Sequence, residues 1–234
     1  MGFRFKQFSV EDEHASMKVG TDAVLLGAWA GNGRPEHILD IGTGSGVISL
    51  MLAQRFPGAM ITGIDIHQDS VVQAEKNFRK SPWKKNLDVI ASSLQDFSGG
   101  QTRKYELILS NPPFFSDSLR PHTSSKKVAK HTDSLSYEEL VRGAAGLLHQ
   151  EGSFALVLPY DKREKLAQLA TDHGLFLARE LSIIPIQGKG PNRYLSEWTF
   201  EEQEPAKDEL CIRMTAKEYS REYKSLTEEF YLAL

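Results

Sequence analysis

From residue 37 onward, short apolar runs alternate with longer stretches whose apolar residues recur at helical spacing. His37–Ile41 (HILDI) leads straight into glycines, and Gly46–Phe56 then reads as a helix stopped by Pro57 and Gly58. Met60–Asp65 is the next strand and Ser70–Lys80 the next helix, ended by Ser81 and Pro82. Leu87–Ala91 and Tyr105–Ser110 read as two further strands, the second abutting Asn111, Pro112 and Pro113. A helix at Tyr137–His149, a strand at Ser153–Leu158 and a helix at Lys162–His173 follow. This rhythm predicts an open parallel sheet covered on both faces and joined by right-handed crossovers. Beyond it the pattern changes. Phe176–Ile184, Tyr194–Phe200 and Glu209–Met214 are strand-like and separated by Gly/Pro turns, which predicts hairpin-connected strands at one edge of the sheet. A last amphipathic helix, about Tyr219–Leu232, closes the pattern, and no repeat or linker divides the chain.

Composition narrows the class. A length of 234 residues suits one large α/β domain, and 40% hydrophobic with 25% charged residues is ordinary for a soluble globular chain. The net charge of -3 gives no sign of nucleic-acid binding, so any basic surface has to be local. The lone cysteine, Cys211, excludes an internal disulfide and a clustered-cysteine metal site, and no metal is expected. The first ten residues are mixed and charged, without the apolar run of a signal peptide, and no run of about eighteen apolar residues occurs, so the cytoplasm is the expected compartment.

Two motifs carry chemistry. The first is Asp40-Ile41-Gly42-Thr43-Gly44-Ser45-Gly46, where a strand passes into a helix. Glycines permit a sharp turn and close approach of a ligand, and the helix start offers N–H groups to a carboxylate. The spacing is G-x-G-x-G rather than the dinucleotide pattern G-x-G-x-x-G, which counts against a nicotinamide dehydrogenase. Asp40 adds negative charge suited to an ammonium group, and Asp65, ending the next strand, suits the two hydroxyls of a ribose. An amino-acid portion joined to a ribose describes S-adenosylmethionine. The plain alternative is a tight turn with no ligand.

The second motif is Asn111-Pro112-Pro113-Phe114, after the fourth strand. Prolines fix the backbone and aim the Pro112 carbonyl outward, beside the Asn111 side-chain oxygen. Two acceptors facing one NH2 group hold it by both hydrogens and favour attack by its lone pair, while Phe114 stacks on a planar substrate. The plain alternative is an ordinary Pro-Pro turn. His122 and His131 in the following segment receive no role.

LDIGTGSG at 39–46, GID at 63–65 and NPPF at 111–114 resemble the amino-directed class I methyltransferases. Phe8–Trp29, Lys130–Leu140 and Tyr219–Leu232 further resemble the bacterial tRNA1(Val) adenine-N6 methyltransferases, so the likeness covers nearly the whole chain. It implies a Rossmann-like, doubly wound α/β fold, with a mostly parallel sheet and antiparallel C-terminal edge strands. It implies a single methyltransferase domain over 1–234, made of an N-terminal segment (1–35), a cofactor-binding core (36–184) and C-terminal edge strands with a helix (185–234). The activity implied is transfer of a methyl group from S-adenosylmethionine to N6 of the adenine 3′ of a valine tRNA anticodon, by a monomer. Carried over to this chain, Asp40, Gly42, Thr43, Gly44 and Gly46 would hold the methionine part, and Asp65 with Ile66 the ribose end. Asn111, Pro112, Pro113 and Phe114 would grip the adenine, with Asn111 also beside the cofactor. Lys18, Thr21 and Asp22 match an N-terminal segment that would fold over the cofactor, with a helix cap at Thr21 or Asp22 as the plain alternative. One departure is visible. Ser93 stands where such enzymes carry an acid for the cofactor's adenine amine, so either Ser93 substitutes or Asp96 reaches in.

Between Ser118 and Thr132 lie Arg120, Lys126, Lys127 and Lys130 and no acid, a local charge of +4 expected to bind RNA beside NPPF. Arg79, Lys80, Lys84 and Lys85 around Trp83 form a second basic group, read as a solvated face, and Lys189 with Arg193 a third. Three rivals remain. A protein-glutamine N5 methyltransferase shares the NPP logic, but it carries an extra helical domain before the cofactor loop, where only 39 residues precede Asp40. A ribosomal-RNA guanine-N2 methyltransferase shares NPPF but has a longer, duplicated architecture. A non-catalytic binding module would retain the fold without transfer.

Overall fold

The computed structural model describes residues 2–15, 18–113 and 135–233. Its centre is an eight-stranded sheet flanked by helices. The chain begins with a two-stranded antiparallel hairpin, β1 (Phe3–Arg4) and β2 (Ser9–Val10), followed by α1 (Thr21–Trp29). The alternating part comprises β3 (His37–Ile41), α2 (Val47–Arg55), β4 (Met60–Asp65), α3 (Gln68–Lys80), β5 (Leu87–Ala91), α4 (Leu94–Gly100) and β6 (Tyr105–Ser110). Then come α5 (Tyr137–Leu147), β7 (Leu148–Pro159), α6 (Arg163–Asp172), β8 (Phe176–Ile184), β9 (Arg193–Thr199), β10 (Ala206–Cys211) and α7 (Arg221–Thr227).

The strand order is β10-β8-β9-β7-β6-β3-β4-β5. Every pairing is parallel except the two made by β9, so β9 alone runs against the other strands of this sheet. The fold is therefore the mostly parallel, Rossmann-like one expected, with one refinement. The reversed strand is tucked between β7 and β8, and the rim strand β10 lies parallel to β8. Period-two alternation along the strands divides the core into two layers. Ile38, Leu107, Leu109, Ala155 and Val157 face α1, α2 and α3. Leu39, Ile41, Ile108, Phe154, Leu156 and Leu158 face α4, α5 and α6.

Helix α1 has no apolar stripe, because Ala23 to Ala28 are all buried; a helix surrounded on every side shows no amphipathic period. Its C-terminal end is closed by side chains from far along the chain. Arg55 donates to the Gly27, Ala30 and Gly31 carbonyls, and Arg179 stacks on Trp29 at 4.0 Å while donating to its carbonyl at 2.9 Å. Glu197 accepts from Arg179 at 2.6 Å and from the Gly31 amide at 3.1 Å. Burial, then the neighbouring Arg179, lower the Arg55 pKa to about 10, with Glu197 opposing the shift.

Two boundaries move for tertiary reasons. The last helix spans only 221–227, because the Ser220 hydroxyl caps it and residues beyond it turn back to the N-terminal hairpin, where Lys6 N–H donates to the Phe230 carbonyl at 2.8 Å. β10 starts at Ala206, earlier than its apolar residues indicate, since an exposed rim strand pairs through its backbone.

Arg55→Ala strands three helix-end carbonyls at once. It is expected to lower folding stability by about 2–4 kcal/mol in urea denaturation, with no change in the slope of the transition.

Candidate active site

The glycine loop is built around a carboxylate. Asp40 is wholly buried at the end of β3, and its Oδ2 accepts hydrogen bonds from the Thr43 and Ser49 hydroxyls, each at 2.7 Å. Its Oδ1 has no partner among the described residues. Burial raises the Asp40 pKa above the ordinary carboxylate value, the two hydroxyls oppose that, and nearby Asp65 adds to the rise. The loop amides are tied to the end of β4. Gly42 and Thr43 donate to the Ile64 carbonyl at 2.8 and 3.0 Å, and Gly44 to Asp65 Oδ2 at 3.0 Å. These three amides are thus taken up by β4, and the donors expected for a ligand's carboxylate are those at the start of α2. Asp40 itself positions the loop through its bonds to Thr43 and Ser49.

The space above the loop is open. Gly42 and Gly44 have φ of 73° and 56°, in the left-handed region that glycine adopts freely. A Cβ added to Gly42 would meet nothing within 4 Å, and one added to Gly44 only the Gly42 carbonyl at 3.9 Å. A group pressed against this backbone therefore fits. Below the loop the packing is tight: a Cβ on Gly63, opposite Asp40 on β4, would stand 2.9 Å from the Thr43 side chain.

The neighbouring strand ends complete the edge. Asp65 is buried, and its Oδ1 accepts from His67 N–H at 2.9 Å. Ile66, next to it, is 48% exposed, an apolar surface turned to solvent beside a polar loop. After β5, Ser93 caps α4: its hydroxyl accepts from Asp96 N–H at 3.0 Å and donates to Asp96 Oδ2 at 2.7 Å. Ser93 and Asp96, posed as alternatives by the sequence, form one hydrogen-bonded pair. On the other side, Asn111 is half-buried, Pro112 buried and Pro113 exposed, and Ser110 donates to the Ile41 carbonyl at 3.0 Å. Because Ile41 pairs with both Ile64 and Ser110, and Asp65 with Ala91, the ends of β5, β4, β3 and β6 stand side by side. They span ~14 Å at the ordinary strand spacing.

The N-terminal segment leads into α1. Lys18 donates to the Asp12 carbonyl at 2.6 Å, and Thr21 is the exposed first residue of α1. The helix is capped by Gly20 with no side-chain bond, so neither Thr21 nor Asp22 is the cap. Asp22 accepts from Arg193 Nε at 2.9 Å, which draws it to the β9 side of Asn111. In the second basic group, Arg79 pairs with Glu75 and Lys80 with Glu11, as a solvated face would. Phe114, Arg120, His122, Lys126, Lys127, Lys130 and His131 lie outside the described residues. No cluster of metal-ligating side chains occurs among the described residues.

Ser49, His67 and Asn77 were missed from sequence. Asn77 is 1% exposed and donates to the Ser45 and Glu11 carbonyls, each at 2.8 Å, while accepting from Glu11 N–H at 3.0 Å. It ties the glycine loop to the N-terminal segment. A polar residue on the apolar face of α3, in line with Ser70, Gln73 and Ala74, was the available signal.

Gly63→Ala is expected to push Thr43 off Asp40, weakening cofactor binding in calorimetric titration about tenfold while costing about 1–3 kcal/mol of stability. Asn77→Ala leaves three backbone groups without their partner and is expected to cost about 1–3 kcal/mol in chemical denaturation.

The family model described as methyltransferase small domain matches residues 14–172. A relative from Bacteroides thetaiotaomicron, named tRNA1(Val) (adenine(37)-N6)-methyltransferase, is 44% identical over 99% of this chain and 98% of its own length. A relative of the same name from Pseudoalteromonas translucida is 37% identical over 100% and 99%. Among solved structures, a predicted O-methyltransferase from Agrobacterium tumefaciens superposes with a TM-score of 0.68 at 16% identity, covering 92% of this chain and 99% of its own. The ribosomal protein L11 methylase of Lactobacillus delbrueckii subsp. bulgaricus gives 0.53 at 17% identity, over 77% and 78%. These two show the fold alone. The open glycine loop, the Asp65 edge and Asn111 beside them thus sit in a chain that belongs to the methyltransferase small domain family, among the tRNA1(Val) (adenine(37)-N6)-methyltransferases.

Proposed function

We propose that this protein transfers a methyl group from S-adenosylmethionine to N6 of adenine 37 in tRNA1(Val). The observation that carries the reading is the order of groups along the sheet edge: the Ser93–Asp96 pair, Asp65 with exposed Ile66, the open glycine loop, then Asn111. That order matches a ligand with an adenine at one end, a ribose in the middle and an amino-acid portion at the other. The relatives' shared name supports the acceptor.

Each residue then has a task. Asp65, whose two oxygens each accept one backbone bond, retains lone pairs for ribose hydroxyls. Ile66 offers its apolar surface to the adenine ring, and the glycine backbone takes the methionine portion by contact. Bound S-adenosylmethionine supplies a methyl group on a positively charged sulfur. The Asn111 side-chain oxygen and the Pro112 carbonyl accept the two N6 hydrogens and aim the nitrogen lone pair at that methyl. Attack by that nitrogen would form the new nitrogen–carbon bond, and the electron pair of the broken carbon–sulfur bond would stay with the departing thioether. The surplus N6 proton then passes to water. Among the described residues no general base is required.

The test is transfer of labelled methyl to total tRNA from a strain lacking the gene, followed by digestion to nucleosides. Label is expected as N6-methyladenosine in one valine tRNA; label only in a release factor or in ribosomal RNA would overturn the assignment. Asn111→Ala is expected to keep cofactor affinity while turnover falls about a hundredfold or more, since its contacts strengthen in the transition state.

A further inference from the structure

The edge that carries Asn111 does not stop there. Beyond β6 it continues through the ends of β7, β9, β8 and β10, and because β9 is reversed its first residue, Arg193, opens onto the same side, opposite Pro159. The turn 185–192 between β8 and β9 holds exposed Lys189 and no acid. After β10, Arg213 lies over the Tyr219 ring at 4.0 Å, Tyr219 stacks on Tyr223 at 5.1 Å, and Lys217 and Met214 are exposed beside them. Nearer Asn111 stand Lys162, with Asp161 3.6 Å away, and Arg163 over Tyr160. Among the described residues, the acids facing this rim or paired with its cations are Asp22, paired with Arg193, Asp161, Glu218, and Glu180, 3.9 Å from Arg163.

The opposite ends of the same strands have the reverse character. The turn from β9 to β10, residues 200–205, holds Glu201, Glu202 and Glu204 and no base. A chain of net charge -3 has therefore sorted its C-terminal loops by sign, with cations on the edge shared with Asn111. Such separation orients a polyanion and raises its local concentration at one face.

We propose that this rim, from Lys162 through Arg193 and Lys189 to Arg213 and Lys217, holds the backbone of the RNA strand whose target base enters at Asn111. From β6 to β10 is four strand spacings, ~19 Å. That length takes about five to six nucleotides at ~3.4 Å of rise each, which is the scale of a loop rather than of a free nucleotide. At the far end the planar guanidinium of Arg213, seated over Tyr219, is a cation that can also lie against a base. The proposal rests on the RNA-methylating reading above.

The test uses Lys189→Glu with Lys217→Glu in the full chain, both exposed and outside the cofactor loop. Binding to unmodified tRNA1(Val) is measured by fluorescence anisotropy across a salt series, alongside cofactor titration and thermal melting. Expected are an RNA dissociation constant about tenfold higher or more, and a salt slope shallower by about 1.4 for two lost phosphate contacts. Cofactor affinity and melting should match the unaltered protein, and Glu201→Lys with Glu202→Lys at the opposite edge should not reproduce the loss. RNA affinity and slope unchanged in the lysine variant, while the unaltered protein binds and methylates tRNA, would sink the rim and leave the activity standing. Failure of the unaltered protein to bind tRNA at all would overturn both.

Discussion

The buried Asp40 carboxylate at the end of β3 is the group around which the glycine loop folds. Taking a carboxylate out of water is costly unless hydrogen bonds replace the lost hydration. Here the Thr43 and Ser49 hydroxyls supply them, one from the loop and one from the first turn of α2. Holding Oδ2 between these two hydroxyls sets the loop and helix in one arrangement. The absence of a side chain at Gly63 lets Thr43 reach its place, and the ties from Gly42, Thr43 and Gly44 to β4 hold the loop down from the other side. What remains above is bare glycine backbone, the surface a ligand can approach.

The second constraint is the direction of the strands. Parallel strands present their C-terminal ends at a common edge, which is where ligands of open α/β sheets sit. β5, β4 and β3 give the half of that edge suited to a nucleoside joined to an amino acid. On the reading proposed here, β6 and the strands beyond it give the half that would face the acceptor. Asn111 stands at the division, one strand from the glycine loop. The inserted β9 brings Arg193 to the same edge, where it fixes Asp22 at the start of α1.

At the far end of α1 the logic is purely structural. Arg55, Arg179 and Glu197 complete the carbonyls and amide that a nine-residue helix leaves open, and Trp29 gives Arg179 a face to stack on. The helix is held at both ends by residues of the sheet or its flanking layer. Its N-terminal end is held beside the site, and the N-terminal segment before it is held by Asn77.

The strands from β3 to β6 were legible residue by residue, because a short apolar run bounded by Gly, Pro or Asn is a local signal. The glycine loop, Asp65 and Asn111 were legible for the same reason: each is a residue type at a strand end, and the strand ends were visible. Helix α1 was not, since burial on every side erases its period, and neither was α4, a seven-residue helix ending in two glycines. The sequence by itself determined the succession of the strands from β3 to β6 and which side chains stand at their ends. Only the tertiary structure decided what those side chains touch: that Asp40 accepts from Thr43 and Ser49, that Asp65 receives a loop amide, that Ser93 and Asp96 act as a pair, and that Arg193 binds Asp22. Hydrogen bonds and ion pairs depend on distances between groups such as Asp22 and Arg193, 171 residues apart along the chain, and those distances exist only once the sheet has brought its strand ends to one edge.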